Sequence, residues 1–203
     1  MAAGCVDVPD GVNRSERDRV RAAAIEYPAY GWGVLPGSVW NGRRYTLGHT
    51  PTLVDGLAPA MLSGRTLRIA REVWSWWSVA PYAVLARAGE DFDVLTAPAE
   101  LVTVALELPG SVVRTCPVML APDRTSARLV VRRGSRLRWE LHGVRGVTLL
   151  PVGALVALPP TVTAEGEWSW WVDPSDAHGP GLAGAVQRAL RAAAHGMRTD
   201  GRC

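Results

Sequence analysis

The stretch Val20 to Gly37, VRAAAIEYPAYGWGVLPG, decides how the chain folds. Val20, Ala24 and Tyr27 recur at helical spacing and predict one buried stripe on an alanine-rich helix. That helix is expected from about Ser15 to Tyr30, regular over 16–28, with Ser15 as a candidate cap at its start. Pro28 removes a backbone donor and restricts Tyr27, so a kink or an early stop is expected there. Gly31 ends the segment, because glycine enters the left-handed cap conformation without a steric cost. Trp32, Gly33, Val34 and Leu35 then read as a short buried strand, closed by Pro36 and Gly37.

Outward from this stretch, helices and strands alternate irregularly. Residues 37–64 are rich in glycine, proline, threonine and asparagine and read as a long loop. A helix is expected over 66–77, stopped by Pro81. Tyr82–Arg87 and Phe92–Leu95 read as strands. Pro98 opens a third helix, 98–108, whose apolar stripe is Leu101, Ala105 and Leu108. Strands are expected near 112–120, 128–133, 146–150, 154–158 and 167–172. Leu182, Val186 and Leu190 mark a closing helix over 182–195. These strands cannot all be joined by helical crossovers, which predicts an α+β fold with a mixed or antiparallel sheet; a mixed central β-sheet flanked by the helices is the expectation. The expected organisation is a flexible tail over 1–14, one domain over 15–196 and a short tail over 197–203.

Composition bounds the function. The chain has 203 residues, 48% of them hydrophobic, enough for a buried core. No apolar run approaches the ~18 residues of a membrane span, and no secretory pattern opens the chain. A cytoplasmic protein with no membrane partner is the expectation. All 22 basic residues are arginine, and the net charge is a mild +3. Arginine's planar fork suits phosphate. Cys5, Cys116 and Cys203 lack metal-ligand spacing and read as free thiols. The four histidines show no ligand spacing, and neither a nucleophile elbow nor a P-loop occurs, which disfavours hydrolases and P-loop enzymes.

Several landmarks occur in a fixed order. The helix running into Gly31-Trp32 is followed by a strand ending in Pro36. Trp76-Trp77 precedes Ala80-Pro81-Tyr82-Ala83-Val84, and Gly89 marks a turn. Leu155–Leu158 leads into Pro159-Pro160-Thr161, and Trp170 follows on a later strand. Across roughly Arg19 to Arg191 this order resembles the actinobacterial bifunctional DNA primase/polymerase (prim-pol) domain, of the archaeo-eukaryotic primase type. The resemblance implies a prim-pol-like fold, a nucleotide substrate and three site motifs. These are an acidic pair separated by one residue, a Ser-x-His contacting nucleotide, and a further aspartate. Two Mg2+ or Mn2+ ions on such carboxylates would offset charge in nucleotidyl transfer.

This chain departs from that pattern. Asp91-Phe92-Asp93 has the spacing of the acidic pair, and alternate strand residues face one way. Counting from Gly89, however, puts the pair nearer Thr96 and Pro98. The second motif aligns with Ser126-Ala127-Arg128, so arginine replaces histidine, and an arginine can pair with a triphosphate. The third falls on Thr148. Asp91 and Asp93 are thus the candidate metal ligands and catalytic acids. Ser126, Arg128, Arg132 and Arg133 are the candidate nucleotide or nucleic-acid contacts, with Arg128, Arg132 and Arg133 as a phosphate ridge.

The two Trp-Ser-Trp-Trp copies, at 74–77 and 168–171, read first as core and second as a stacking platform for bases. The reading is a prim-pol-like domain that binds single-stranded DNA or nucleotide through a degraded catalytic centre, with no cofactor. The alternatives are an active primase/polymerase using Mg2+ or Mn2+, and a non-enzymatic interaction protein. A helicase partner would be a separate protein.

Overall fold

Gly31 makes the first corner. In the computed structural model, which describes residues 14–199 except 49, 51 and 62, its φ is +79° and its N–H donates to the Pro28 carbonyl at 3.0 Å. Helix α1 (Arg14–Glu26) gives way to a 3-10 turn over Tyr27–Tyr30, as the proline requires. Val20, Ala24 and Tyr27 are the buried stripe. Ser15 lies inside α1, so it is not the cap, and the expected N-terminal tail falls outside the described residues apart from Arg14.

The strand after the corner is β1 (Leu35–Gly37). Pro36 and Gly37 belong to it rather than closing it. Proline is tolerated because β1 is an edge strand. Glycine is needed because a Cβ on Gly37 would lie 2.6 Å from Leu85 Cδ1 on the neighbouring strand. The expected structureless loop contains a three-stranded meander of β2 (Val39–Trp40), β3 (Tyr45–Thr46) and β4 (Leu53–Val54). Helix α2 (Ala70–Val79) starts four residues later than its pattern predicts. The delay has a cause: Leu67 is occupied in a bridge to Val34, giving and accepting backbone hydrogen bonds of 2.7 and 2.9 Å.

The rest comprises β5 (Ala83–Arg87), β6 (Phe92–Pro98), α3 (Ala99–Glu107), β7 (Val118–Leu120), β8 (Ser126–Arg132), β9 (Thr148–Leu149), β10 (Leu155–Ala157), β11 (Val162–Thr163), β12 (Gly166–Glu167), β13 (Ser169–Val172) and α4 (Ala183–Thr199). Residues 112–115, expected as strand, form a 3-10 turn whose Val113 N–H donates to the Ser111 side chain. Helix α4 runs through Thr199 and absorbs the described part of the expected C-terminal tail.

The fold is α+β. Its largest sheet has the order β13-β7-β8-β6-β9, and a second has the order β1-β5-β10. Every pair of named strands is antiparallel, so of the two sheet types the sequence allowed it is the antiparallel and not the expected mixed one that forms. The reason lies in α3. It crosses over from β6 to β7, which run parallel to each other, but β8 inserts between them and pairs antiparallel with both. The parallel pairing among the described residues is an isolated Val131–Gly181 bridge.

The two sheets meet at a bend. Gly89, at φ +84°, turns the chain from β5 into β6. Residues 148–157 follow the same bend, with Leu150 N–H donating to Val94 O and Ala88 N–H to Ala154 O. Two cores result. One packs α1, α2 and β5 against Phe92, Val94, Met119 and Val130. The other packs α3 and α4 against Leu95, Ala97, Leu129 and Val131. Successive residues of β6 and β8 thus serve opposite cores, as the two-residue strand period demands. No helix among the described residues is long and apolar enough to cross a membrane.

Thr161 follows the cis Pro159–Pro160 bond and continues what β10 began. Its hydroxyl oxygen accepts from Val84 N–H at 2.9 Å and donates to Val84 O at 3.1 Å. Both residues are buried. Thr161→Val keeps the shape but strands the Val84 N–H, so it should cost about 1–3 kcal/mol in urea unfolding; Thr161→Ser should recover most of this. Cys116 is fully buried, and burial pushes its thiol up to about 12. The thiolate is the reactive form, so Cys116 should resist iodoacetamide at pH 8 in the native protein and react once urea unfolds it. Mass spectrometry of the peptide carrying Cys116 reads this directly.

Candidate functional site

Because β6 is pinned between β8 and β9, one row of residues crosses the largest sheet. Trp170 pairs with Met119, Met119 with Arg128, Arg128 with Thr96, and Thr96 with Thr148. Directly opposed residues on paired strands project from the same face. Here that face is the one turned toward α1 and the first core, because Val94 and Val130, two residues along, are buried there. The row therefore lies where the two packed halves of the molecule meet. Pro98 pairs with Ser126 at its upper edge.

Arg128 dominates the row. Its guanidinium carbon sits 4.1 Å from the centroid of the Trp168 indole, a cation–π contact. The side chain is half-buried, and burial pulls its pKa below the ordinary arginine value. Among the described residues no carboxylate forms an ion pair with it. Beside it, the Thr96 hydroxyl is buried and has no hydrogen-bond partner among the described residues. Thr148, on the far side of Thr96, is exposed. A desolvated cation without a counter-ion and an unpaired hydroxyl thus stand on adjacent strands. Both can donate hydrogen bonds, and together they suit an anion with several acceptor oxygens.

Asp91 and Asp93 lie elsewhere and apart. Asp91 sits on the bend before β6. One of its carboxylate oxygens accepts from Gly33 N–H at 2.7 Å and the other from the Arg68 guanidinium at 2.7 Å. Asp93 is buried in β6 and accepts from Ser135 N–H at 2.6 Å, in the turn after β8. The expected common face is not seen. Asp91 precedes the strand, and Asp93 has the parity of Leu95 and Ala97, opposite to Thr96. Each carboxylate braces a backbone N–H of a different segment. Among the described residues no three of His, Cys, Asp and Glu gather closely enough to hold a metal ion.

The expected arginine ridge is also divided. Arg132 shares the parity of Arg128 but is exposed at the end of β8, about 13 Å along the strand. Arg133 lies in the following turn, also exposed. Ser126 is half-buried at the start of β8. Of the tryptophans, Trp77 and Trp168 are core, while Trp74 and Trp171 are exposed and Trp76 packs edge-on to Tyr82. His49, Cys5 and Cys203 lie outside the described residues.

Counting from Gly89 reached Thr96 as a position of the acidic pair, but not its unpaired hydroxyl, which depends on its neighbours. Trp168 was visible only as one member of a Trp-Ser-Trp-Trp copy, and its pairing with Arg128 spans 40 residues of chain.

The chain matches no family profile, no curated protein and no solved structure. Its chemistry is read from the row itself.

If Asp91 is a brace, its removal harms the fold whether or not divalent metal is present. Asp91→Ala should lower stability by about 2 kcal/mol, because it leaves the buried Gly33 N–H unpaired and frees Arg68. The loss should be the same in 5 mM Mg2+ as in EDTA, where a metal ligand would show a difference. Urea melts of the two proteins in both buffers make the comparison.

Proposed function

We propose that this protein is a prim-pol-like domain that binds the phosphates of nucleotides or single-stranded DNA without polymerising them. The observation that carries the reading is the Arg128–Thr96–Thr148 row. By the spacing of the prim-pol landmarks, these positions correspond to the nucleotide-contacting histidine, the acidic pair and the third aspartate. They are far apart in sequence, yet adjacent strands align them. The side chains at those positions are a cation and two hydroxyls. Such a set attracts phosphate directly but offers no charge to a divalent metal. Binding would rest on the protein's own guanidinium, and two-metal nucleotidyl transfer would have no carboxylate ligands in the row.

Fluorescence anisotropy with a labelled oligo-dT and with a labelled deoxynucleoside triphosphate separates the two sources of phosphate. Binding of at least one should weaken steeply as salt rises, because association releases counterions. It should survive EDTA. Arg128→Ala should reduce it about tenfold, as expected for a charge-assisted hydrogen-bonding group. Arg132→Ala and Arg133→Ala should affect DNA more than triphosphate, since both are exposed contacts remote from Arg128. Absence of binding at low salt, or indifference to Arg128, overturns the proposal. Primer extension with Mg2+ or Mn2+ should give no product. Metal-dependent extension lost in Asp91→Asn/Asp93→Asn, which keeps the acceptor oxygens, would establish the active-polymerase alternative instead.

A further inference from the structure

A cavity adjoins the Trp170 end of the row, between the C-terminal end of α1 and β13. Its volume is about 290 Å³, the size of a small-molecule site rather than a peptide groove. Pro159 and Pro160 line it together with Tyr30, which is exposed, and Trp170, which is partly buried. Trp170 is held in place: its indole N–H donates to the Tyr27 hydroxyl, which donates in turn to the Pro159 carbonyl. The Trp170 face is therefore fixed before any ligand arrives.

The charge of the cavity is opposite to that of the whole chain. The protein carries a net +3. Among the residues lining the cavity, Arg19 and Glu167 neutralise each other in a bidentate ion pair of 2.5 and 2.8 Å. Glu26 and Asp173 remain, with no arginine paired to either among the described residues. Glu26 sits in the last turn of α1, which contains no basic residue. A carboxylate there adds to the negative end of the helix dipole instead of balancing it. The field is felt by Tyr30, whose hydroxyl is pushed above its ordinary value by burial, then by Asp173, Glu26 and Asp176.

Aromatic faces beside unbalanced carboxylates favour one ligand chemistry. Phosphates and carboxylates are repelled. A hard metal ion would need more converging oxygens than the described residues bring together. A quaternary ammonium ion is weakly hydrated, is attracted to aromatic faces and is stabilised by nearby negative charge. We propose that this cavity is a binding site for a small quaternary ammonium compound, with Tyr30 and Trp170 as the aromatic walls and Glu26 and Asp173 as the counter-charge. The site shares Trp170 with the row, and Arg128 stacks on Trp168, a further lining residue, without lining the cavity itself.

Choline chloride is the probe, titrated into the full chain at constant ionic strength and followed by tryptophan fluorescence and calorimetry. Saturable binding in the micromolar to millimolar range is expected. The uncharged isostere 3,3-dimethylbutan-1-ol should not bind at the same concentrations. Glu26→Gln/Asp173→Asn should weaken choline at least about fivefold, and Tyr30→Ala by a similar factor. Tyr30 is a separate check if the double variant fails to fold, since it lies at the surface and is 39% exposed. Arg132→Ala, at the end of β8 remote from the cavity, should leave choline binding unchanged, and phosphate binding has its own anisotropy readout, so failure here and failure of the phosphate proposal are told apart. The inference is overturned if choline does not saturate, if the isostere binds equally well, if neither Tyr30→Ala nor a folded double variant weakens binding, or if Arg132→Ala abolishes it.

Discussion

The register of β6 against β8 is the constraint on which the rest depends. Seven consecutive residue pairs, from Phe92–Arg132 to Pro98–Ser126, join the two strands. Each strand is apolar on both sides, with one set of residues for each core. A slip of one residue would turn Leu95 and Ala97 toward the wrong core and bring Thr96 among the residues packed by α3 and α4. The register is therefore held by burial on both faces, and Arg128 opposite Thr96 is its consequence. Function at the row rides on a pairing that hydrophobic packing already enforces.

The polar groups at the junction divide into those that are satisfied and those that are not. Asp91, Asp93, Thr161 and Gln187 each bond a backbone group of a segment distant in sequence. They substitute for ladder hydrogen bonds where strands end or bend, and a buried side chain in that role stabilises by preventing an unpaired N–H. Arg128 and Thr96 have no such employment. Acidic spacing drew attention to the first group, but unmet hydrogen-bonding capacity distinguishes the second.

Much of the fold was legible because its signals are local. Pro28 and Gly31 announced the end of α1, the stripe of Val20, Ala24 and Tyr27 gave its buried face, and the closing helix followed from Leu182, Val186 and Leu190, although Leu182 itself precedes α4 and stays exposed. The meander in 39–54 was missed because two-residue strands are too short to show a period. The insertion of β8 between β6 and β7 is a property of the whole chain, and no local pattern encodes it. At the site, Arg128 and Thr148 were reached by counting from landmarks, whereas the Asp-x-Asp spacing pointed to residues whose carboxylates brace separate segments. Glu26, Tyr30 and Asp173 gave no sign of belonging together, since 143 residues separate the last two and only the packing of α1 beside β13 brings them to one cavity.

The alternation along β8 has a consequence for how the molecule comes apart. Val130 belongs to one core and its neighbours Leu129 and Val131 to the other. Neither half can lose its packing without exposing a face of the strand that supports the other. The two halves therefore share a single unit of cooperativity, despite having distinct sheets and distinct helices, and open together rather than in sequence. Hydrogen exchange in β8 would then be governed by global unfolding.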